Sequence, residues 1–350
     1  MPFRRFASAS LTILFFAFSG CGTSTREKPI RVIVPFAPGG GSDTLARVLV
    51  REVEASGSGG PSWVIINVPG AGGTIGSRRV KNASPDGKTL LFLHDGILTA
   101  KYARQALYGP EAFTPVAATG QVGMVVCVAA DSEITSLPDL LTKAADVPDS
   151  VTFSANIGAP SYFMARKLEQ VHGTARFRYV QSGGGARRFA DLSGGHVTAS
   201  AFSVSEYLNF RDGGIKALAI LNEERHPELA SVPTAQEEGL PIFYNNLQGW
   251  WAPPNTPREA IAELQKSLQT AFSSASMQSH LKKQCIDPVY LDAEGLNSAM
   301  AAKTDALESL DLDFGDSILP PVETALGLAL LLGGILAVVG RSGEATETSP

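Results

Sequence analysis

Two strand–glycine–helix corners in close succession constrain this chain more than any other feature. The first runs from the β-branched stretch Arg31–Phe36 through Pro38-Gly39-Gly40-Gly41-Ser42-Asp43. Leu45, Val48, Leu49 and Val53 then fall at helical spacing, with Ser42 or Asp43 as N-cap. The second corner follows the strand-like Trp63–Val68 and reads Pro69-Gly70-Ala71-Gly72-Gly73-Thr74, leading into a short helix over Ile75–Asn82. A turn at Ser84-Pro85-Asp86-Gly87 precedes a third strand, Thr89–Leu93, ending at His94-Asp95. Strand, helix, strand, helix, strand predicts an α/β fold with a parallel sheet covered by helices. Glycine lets backbone approach a ligand closely. The free N–H groups at a helix start, at the positive end of its dipole, then form an anion site that needs no Lys or Arg.

A similar set of elements follows. Strands are expected at Gly123–Ala129, Val151–Ser154, Arg178–Val180, Val197–Phe202 and Ile215–Ile220, and helices at Ser136–Ala145, Ser161–His172 and Ala186–Ser193. Helices over Pro257–Ser274 and Met277–Gln284 close the sequence of elements. At 350 residues the chain has room for about two domains. The pattern predicts two lobes, with the chain returning to the first near residue 249 and Trp250-Trp251 packing in that return. The expected boundaries are 29–124 with 249–315 for lobe 1 and 125–248 for lobe 2.

Other chemistries lack their residues. With 29 basic against 34 acidic residues and a net charge of −5, the chain is a poor partner for nucleic acid. It has no G-x-x-x-x-G-K-[ST], no G-x-S-x-G, no H-E-x-x-H and no C-x-x-C. The five histidines, at 94, 172, 196, 226 and 280, show no metal-ligand spacing, so neither a metal nor a catalytic residue is assigned. His94 ends a strand at the edge where α/β ligands bind and is a candidate contact, while the other four read as surface residues. Gly70-x-Gly72-x-x-x-Gly76 is close to a dinucleotide fingerprint but one residue too long, which keeps an NAD(P)-dependent oxidoreductase as a rival. Of the three cysteines, Cys127 and Cys285 could pair or remain separate buried thiols.

The ends are distinct from this core. Residues 1–20 read as a signal peptide, with Arg4 and Arg5 before the apolar stretch Leu11–Phe18. Phe18-Ser19-Gly20-Cys21 resembles a bacterial lipobox, which makes Cys21 a lipidation candidate and residues 21–28 a tether. Near the other end, the uncharged run Thr324–Gly340 predicts an apolar helix. We expect a transmembrane anchor over 318–341 and a polar tail over 342–350. A buried core helix and a processed sorting tail are the alternatives.

The core motifs resemble those of the tripartite tricarboxylate transporter receptors, the Bug-type extracytoplasmic solute-binding proteins. Val34-Pro35-Phe36-Ala37-Pro38-Gly39-Gly40-Gly41-Ser42-Asp43 with Ala46-Arg47 is similar to the family's opening, and Asn67–Gly76 to its N-x-x-G-A-G-G-x-x-G. Pro85-Asp86-Gly87, Phe113-Thr114-Pro115-Val116, Val232-Pro233-Thr234 and Ala252-Pro253 match further family motifs in order. The resemblance implies a two-lobe periplasmic-binding-protein type II fold, with a ligand cleft between lobes and no cofactor. It implies that a small carboxylate is held at the first corner by Phe36, Gly39, Gly40, Gly41, Ser42 and Asp43. At the second corner Ala71, Gly72, Gly73 and Thr74 would hold it, with His94 alongside. From the opposite lobe it implies Gly158, Ala159, Ser161, Gly183 and Ser203. The chain departs from the family at Tyr179-Val180-Gln181-Ser182, at Ala201–Ser203 and at Asn156–Ser161, all in the far half of that pocket. The expected function is capture of a di- or tricarboxylate, acidic amino acid or aromatic acid, and its presentation to membrane permease subunits. A membrane-tethered sensory or interaction protein on the same fold is the alternative.

Overall fold

Short apolar strands alternating with amphipathic helices build the chain, as expected. The computed structural model describes residues 28–310, apart from 40 and 57–59. The first part comprises β1 (Ile30–Val34), α1 (Gly41–Ala55), β2 (Trp63–Asn67), α2 (Thr74–Lys81), β3 (Thr89–Leu93) and α3 (Gly96–Tyr102). β4 (Thr114–Ala129), α4 (Leu137–Asp146), β5 (Val151–Ala155), α5 (Pro160–His172) and β6 (Phe177–Gln181) follow. Next come α6 (Gly185–Ser193), β7 (Ala199–Ser203), α7 (Val204–Phe210) and β8 (Ile215–Ile220). The chain then continues through β9 (Asn245–Ala252), α8 (Arg258–Phe272), α9 (Ala275–Lys283), β10 (Asp287–Leu291) and α10 (Ala293–Glu308).

β4 organises the sheet. Its first part, Thr114–Gly123, pairs antiparallel with β9, which pairs with β3 in the order β2-β1-β3-β9. β1 runs parallel to both β2 and β3. From Met124 onward the partners of β4 change to β7 and β8, and β7 continues through β5 to β6. β5 is parallel to both its neighbours. The expected strand Gly123–Ala129 is therefore the second part of a strand of 16 residues. Pro115 and a bulge around Gly120, whose φ is +118°, hide the first part from a period-two pattern.

Each face of the sheet buries its own set of side chains, because alternate residues of a strand point to opposite faces. On β9, Trp250 packs with Val32, Leu49, Phe92 and Leu264, while Trp251 packs with Ile33, Leu91, Leu296 and Met300. The tryptophan pair is thus core, as the return crossing required. Around β5, Phe153 packs with Val126, Phe163 and Leu168, and on the other face Cys127 packs with Phe202, Leu192 and Ile220. Cys127 and Cys285 are both buried and free, which resolves the open alternative toward separate thiols. Burial pushes the Cys127 thiol well above its usual range.

α10 crosses from one set of strands to the other. Lys303 Nζ lies 2.9 Å from Asp95 Oδ2 and donates to the Asn245 carbonyl at 2.8 Å, and the Leu247 N–H donates to Asp95 Oδ1. Leu307 and Leu310 at its end join the cluster around Phe163. The signal peptide, Cys21, the 21–28 tether up to residue 27, the 318–341 anchor and the 342–350 tail all lie outside the described residues. Among the described residues no helix is long and apolar enough to cross a membrane.

Candidate functional site

Ligands of open α/β sheets bind beyond the carboxyl ends of parallel strands. A cavity of about 740 Å³ occupies that place here for two strand sets at once. Phe36, after β1, lines it with Ala71 and Gly72, after β2, and His94, after β3. Facing them are Asn156, Gly158 and Ala159 after β5, Gly184 after β6 and Ser203 at the end of β7. The first turns of α1 (Gly41, Ser42), α5 (Pro160, Ser161) and α6 (Gly185) open on the same space. Helix starts carry the positive ends of their dipoles, so these turns make the wall anion-attracting beside its cationic side chains.

The second corner owes its shape to its glycines. Gly70, Ala71, Gly72 and Gly73 have φ of 133°, 45°, 64° and 98°. Successive positive φ values are a geometry that glycine adopts at little steric cost, and they bring Ala71 and Gly72 to the cavity wall. Gly76 serves packing instead: a Cβ there would lie 2.7 Å from Pro35 Cβ and 2.9 Å from the Val68 carbonyl. Close helix–strand packing accounts for that glycine without a nucleotide.

The predicted site residues divide in two. Phe36, Gly41, Ser42, Ala71, Gly72, His94, Gly158, Ala159, Ser161 and Ser203 all line the cavity. Gly39, Asp43, Gly73, Thr74 and Gly183 are not part of its lining, and Gly40 lies outside the described residues. Asp43 is buried, and its Oδ2 accepts from Gly39 N at 2.8 Å and Arg47 Nε at 2.9 Å, while Oδ1 accepts from Asn67 Nδ2 at 2.9 Å. Asn67 Nδ2 also donates to the Phe36 carbonyl, so this network clamps the first corner onto β2. Thr74 Oγ1 donates to the Ala71 carbonyl, and the Gly183 carbonyl accepts from Arg188 Nη1.

Burial opposes the Asp43 charge, but the bonds from Arg47, Gly39 and Asn67 outweigh it and hold the carboxyl below its ordinary value. A depressed carboxyl pKa contributes stability above the unfolded value of about 3.9, and that stability is lost as pH falls through the folded value. Asp43→Asn is therefore expected to flatten the acid limb of a stability–pH curve measured by urea unfolding below about pH 4. An unchanged acid slope would contradict the clamp.

His94 stacks on Phe36, with ring centroids 5.2 Å apart and planes at 15°. Its Nδ1 accepts from Gly96 N at 3.0 Å, so the neutral ring carries its proton on Nε2. Burial lowers the imidazole pKa against the pull of Asp95, and the ring is a neutral N–H donor in the cavity wall. Two other histidines correct the surface expectation. His226 is buried, with Nδ1 accepting from Glu228 N to cap a short turn. His280 lines the cavity, with Nε2 buried and without a partner.

Sequence reasoning missed Thr99, Arg104, Gln105, Arg188, Glu206, Asn246 and Gln248, all of which line the cavity. Thr99 Oγ1 and Asn246 Oδ1 are both buried and have no hydrogen-bond partner among the described residues. Gln181, one of the departures noted above, braces the far loop: Oε1 accepts from Ile157 N at 2.7 Å, and Nε2 donates to Asn156 Oδ1 at 3.0 Å. Only the doublet Arg187-Arg188 after a triple glycine carried a visible signal, namely charge at the start of a helix where the dipole disfavours it.

Comparisons with known proteins agree with this geometry. A family profile described as tripartite tricarboxylate transporter family receptor matches residues 46–309. A protein from the tcbD–tcbE intergenic region of a Pseudomonas species is 31% identical over 82% of this chain and 87% of its own length. BugT of Bordetella pertussis is 30% identical over 75% of this chain and 82% of its own. Among solved structures, MatC from Rhodopseudomonas palustris with bound malate is 27% identical, covering 81% of this chain and 98% of its own, with a TM-score of 0.68. A second R. palustris protein, solved with adipate, is 25% identical over 81% of this chain and 95% of its own, with a TM-score of 0.70.

Proposed function

The chain belongs to the tripartite tricarboxylate transporter receptor family, with the mixed α/β fold of periplasmic binding proteins, and on that premise we propose that it captures a small organic carboxylate outside the cytoplasm. The observation that carries this reading is the convergence of the left-handed corner and the starts of α1, α5 and α6 on one cavity. Among the described residues its lining includes two arginines, Arg104 and Arg188, against one carboxylate side chain, Glu206. A buried carboxylate is costly unless hydrogen-bonded, and backbone amides at these corners supply the donors. The malate- and adipate-bound neighbours support the same class.

Two lobes joined where β4 changes partners and where β9 begins would close on the ligand. Binding selects the closed form, and permease subunits in the membrane recognise it. The lipid at Cys21 and the C-terminal span would hold the receptor near those subunits at high effective concentration. No covalent step is involved.

A thermal-shift screen of the purified protein against aliphatic, acidic amino and aromatic acids tests the reading. A saturable rise in Tm with at least one acid is expected, and Gly72→Val should abolish it. At φ +64° a β-branched side chain is strained, and its Cβ would meet Gln105 Oε1 at 2.9 Å. No shift with any acid, together with binding of NAD(P) in equilibrium dialysis, would contradict it and favour the oxidoreductase.

A further inference from the structure

The far wall of the cavity holds an ion pair that the family resemblance did not assign. Arg188 is buried, with a side chain only 9% exposed, and its guanidinium is fixed from behind. Nε donates to the Ala201 carbonyl at 3.2 Å, and Nη1 donates to the Gly183 carbonyl at 3.1 Å. Its Cζ lies 5.7 Å from the centre of the Phe202 ring. The remaining nitrogen, Nη2, stands 3.7 Å from Glu206 Oε2, too far for a good hydrogen bond but close enough for charge pairing.

Glu206 is held just as firmly at one oxygen. Oε2 accepts from Ser203 N at 2.9 Å, and Ser203 Oγ accepts in return from Glu206 N, a reciprocal cap on α7. Among the described residues Oε1 accepts no such bond. It lies over Gly185, where an added Cβ would clash with it. Both side chains line the cavity, and Glu206 is 36% exposed there. A ligand's far end thus meets a donor, Nη2, beside an acceptor, Oε1, with the two charges cancelling.

We propose that Arg188 and Glu206 form a charge-balanced donor–acceptor pair that selects ligands ending in a neutral carboxamide over those ending in a second carboxylate. A carboxamide offers its C=O to Arg188 and its NH₂ to Glu206. A second carboxylate satisfies Arg188 only by standing beside the Glu206 carboxylate, a like-charge approach that a neutral carboxamide avoids. Arg104, the other cationic lining residue, is exposed, so solvent and salt weaken its pull. The inference rests on the carboxylate-receptor reading, since the opposite corners must take the ligand's other end.

The test is calorimetric titration of the purified full chain with two matched pairs, succinate against succinamate and glutarate against glutaramate. The wild-type protein is expected to prefer the amide in at least one pair by about tenfold or more. Glu206→Gln keeps the cap on α7, removes the charge and leaves Arg188 to a ligand carboxylate. It should shift the amide-to-acid ratio toward the acid by about tenfold. Gly185→Ala, which pushes Glu206 aside without removing it, should shift the ratio the same way. A wild-type protein that prefers the dicarboxylates, or shows no preference within either pair, overturns the selectivity. A ratio unmoved by Glu206→Gln overturns it as well. Failure of every acid in the wider panel overturns the receptor reading, and the selectivity with it.

Discussion

Gly158→Val is expected to leave the protein folded and to weaken ligand binding at least about a hundredfold, a loss of about 2.7 kcal/mol. Gly158 sits where the two walls of the cavity touch. Its φ is +86°, and a Cβ there would lie 2.6 Å from Ala103 Cβ and 2.7 Å from Gln105 Nε2. Ala103 has no flexible end to move aside, so the walls must separate to admit the new side chain. The left-handed backbone adds strain of about 1–2 kcal/mol, because valine is poorly tolerated there. Ala103 belongs to the buried cluster around Phe163, so part of the cost falls on stability, and the separation removes the contact that encloses a ligand. Calorimetry on the acid found in the screen, alongside a circular-dichroism melt, reads both effects. Full affinity in a well-folded Gly158→Val protein would show that the walls need not approach.

Trp250→Ala should cost about 4 kcal/mol of stability. Trp250 is fully buried, and its Nε1 donates to Thr119 Oγ1 at 2.7 Å. Its ring lies 4.6 Å from Phe92 and edge-on to Trp63 at 6.2 Å between centroids. Alanine would leave a large cavity between α1, α8 and the sheet and strand the Thr119 hydroxyl, which is itself buried. Trp250→Phe keeps most of the volume and loses the hydrogen bond, so about half the cost is expected. Denaturant unfolding checks both, and a Trp250→Ala loss under about 1.5 kcal/mol would contradict this account of the core.

The first three strands and both glycine corners were readable because local rules agree there. In β1 and β2 apolar, β-branched runs end near Pro-Gly breaks, and helical periodicity starts soon after them, while β3 is an unbroken apolar run after a Pro-Asp-Gly turn. The same clarity marked Val151, Ala199 and Ile215 as strand residues, and all three are in strands. β9 was legible only as a crossing, since NNLQGWWA alternates poorly and carries Gly249 in its middle. Pairing with β3 and β4 makes it a strand, and that is a long-range fact. β10 and α10 were missed for related reasons: Pro288 interrupts one, and small residues such as Ala301 and Ala302 blur the apolar stripe of the other.

At the site, backbone chemistry was visible and side-chain chemistry was not. Glycines announce where backbone can approach a ligand, so Gly41 and Gly72 could be named from their corners, while Gly158 came only from the family resemblance. Asp43 belongs to the same motif, yet its carboxylate turns away to bind Gly39, Arg47 and Asn67. Nothing local distinguishes a capping carboxylate from one that faces a ligand. Arg188 and Glu206 are separated along the chain by β7 and meet only because α6 and α7 start on the same side of the sheet.

The most direct measurement is a crystal structure of the protein with the tightest-binding acid from the screen. A ligand carboxylate within about 3 Å of backbone nitrogens at Gly41–Ser42 or Ala71–Gly72, with both walls touching the molecule, is the predicted result. A carboxylate seated on Arg188 with both glycine corners unused would contradict it.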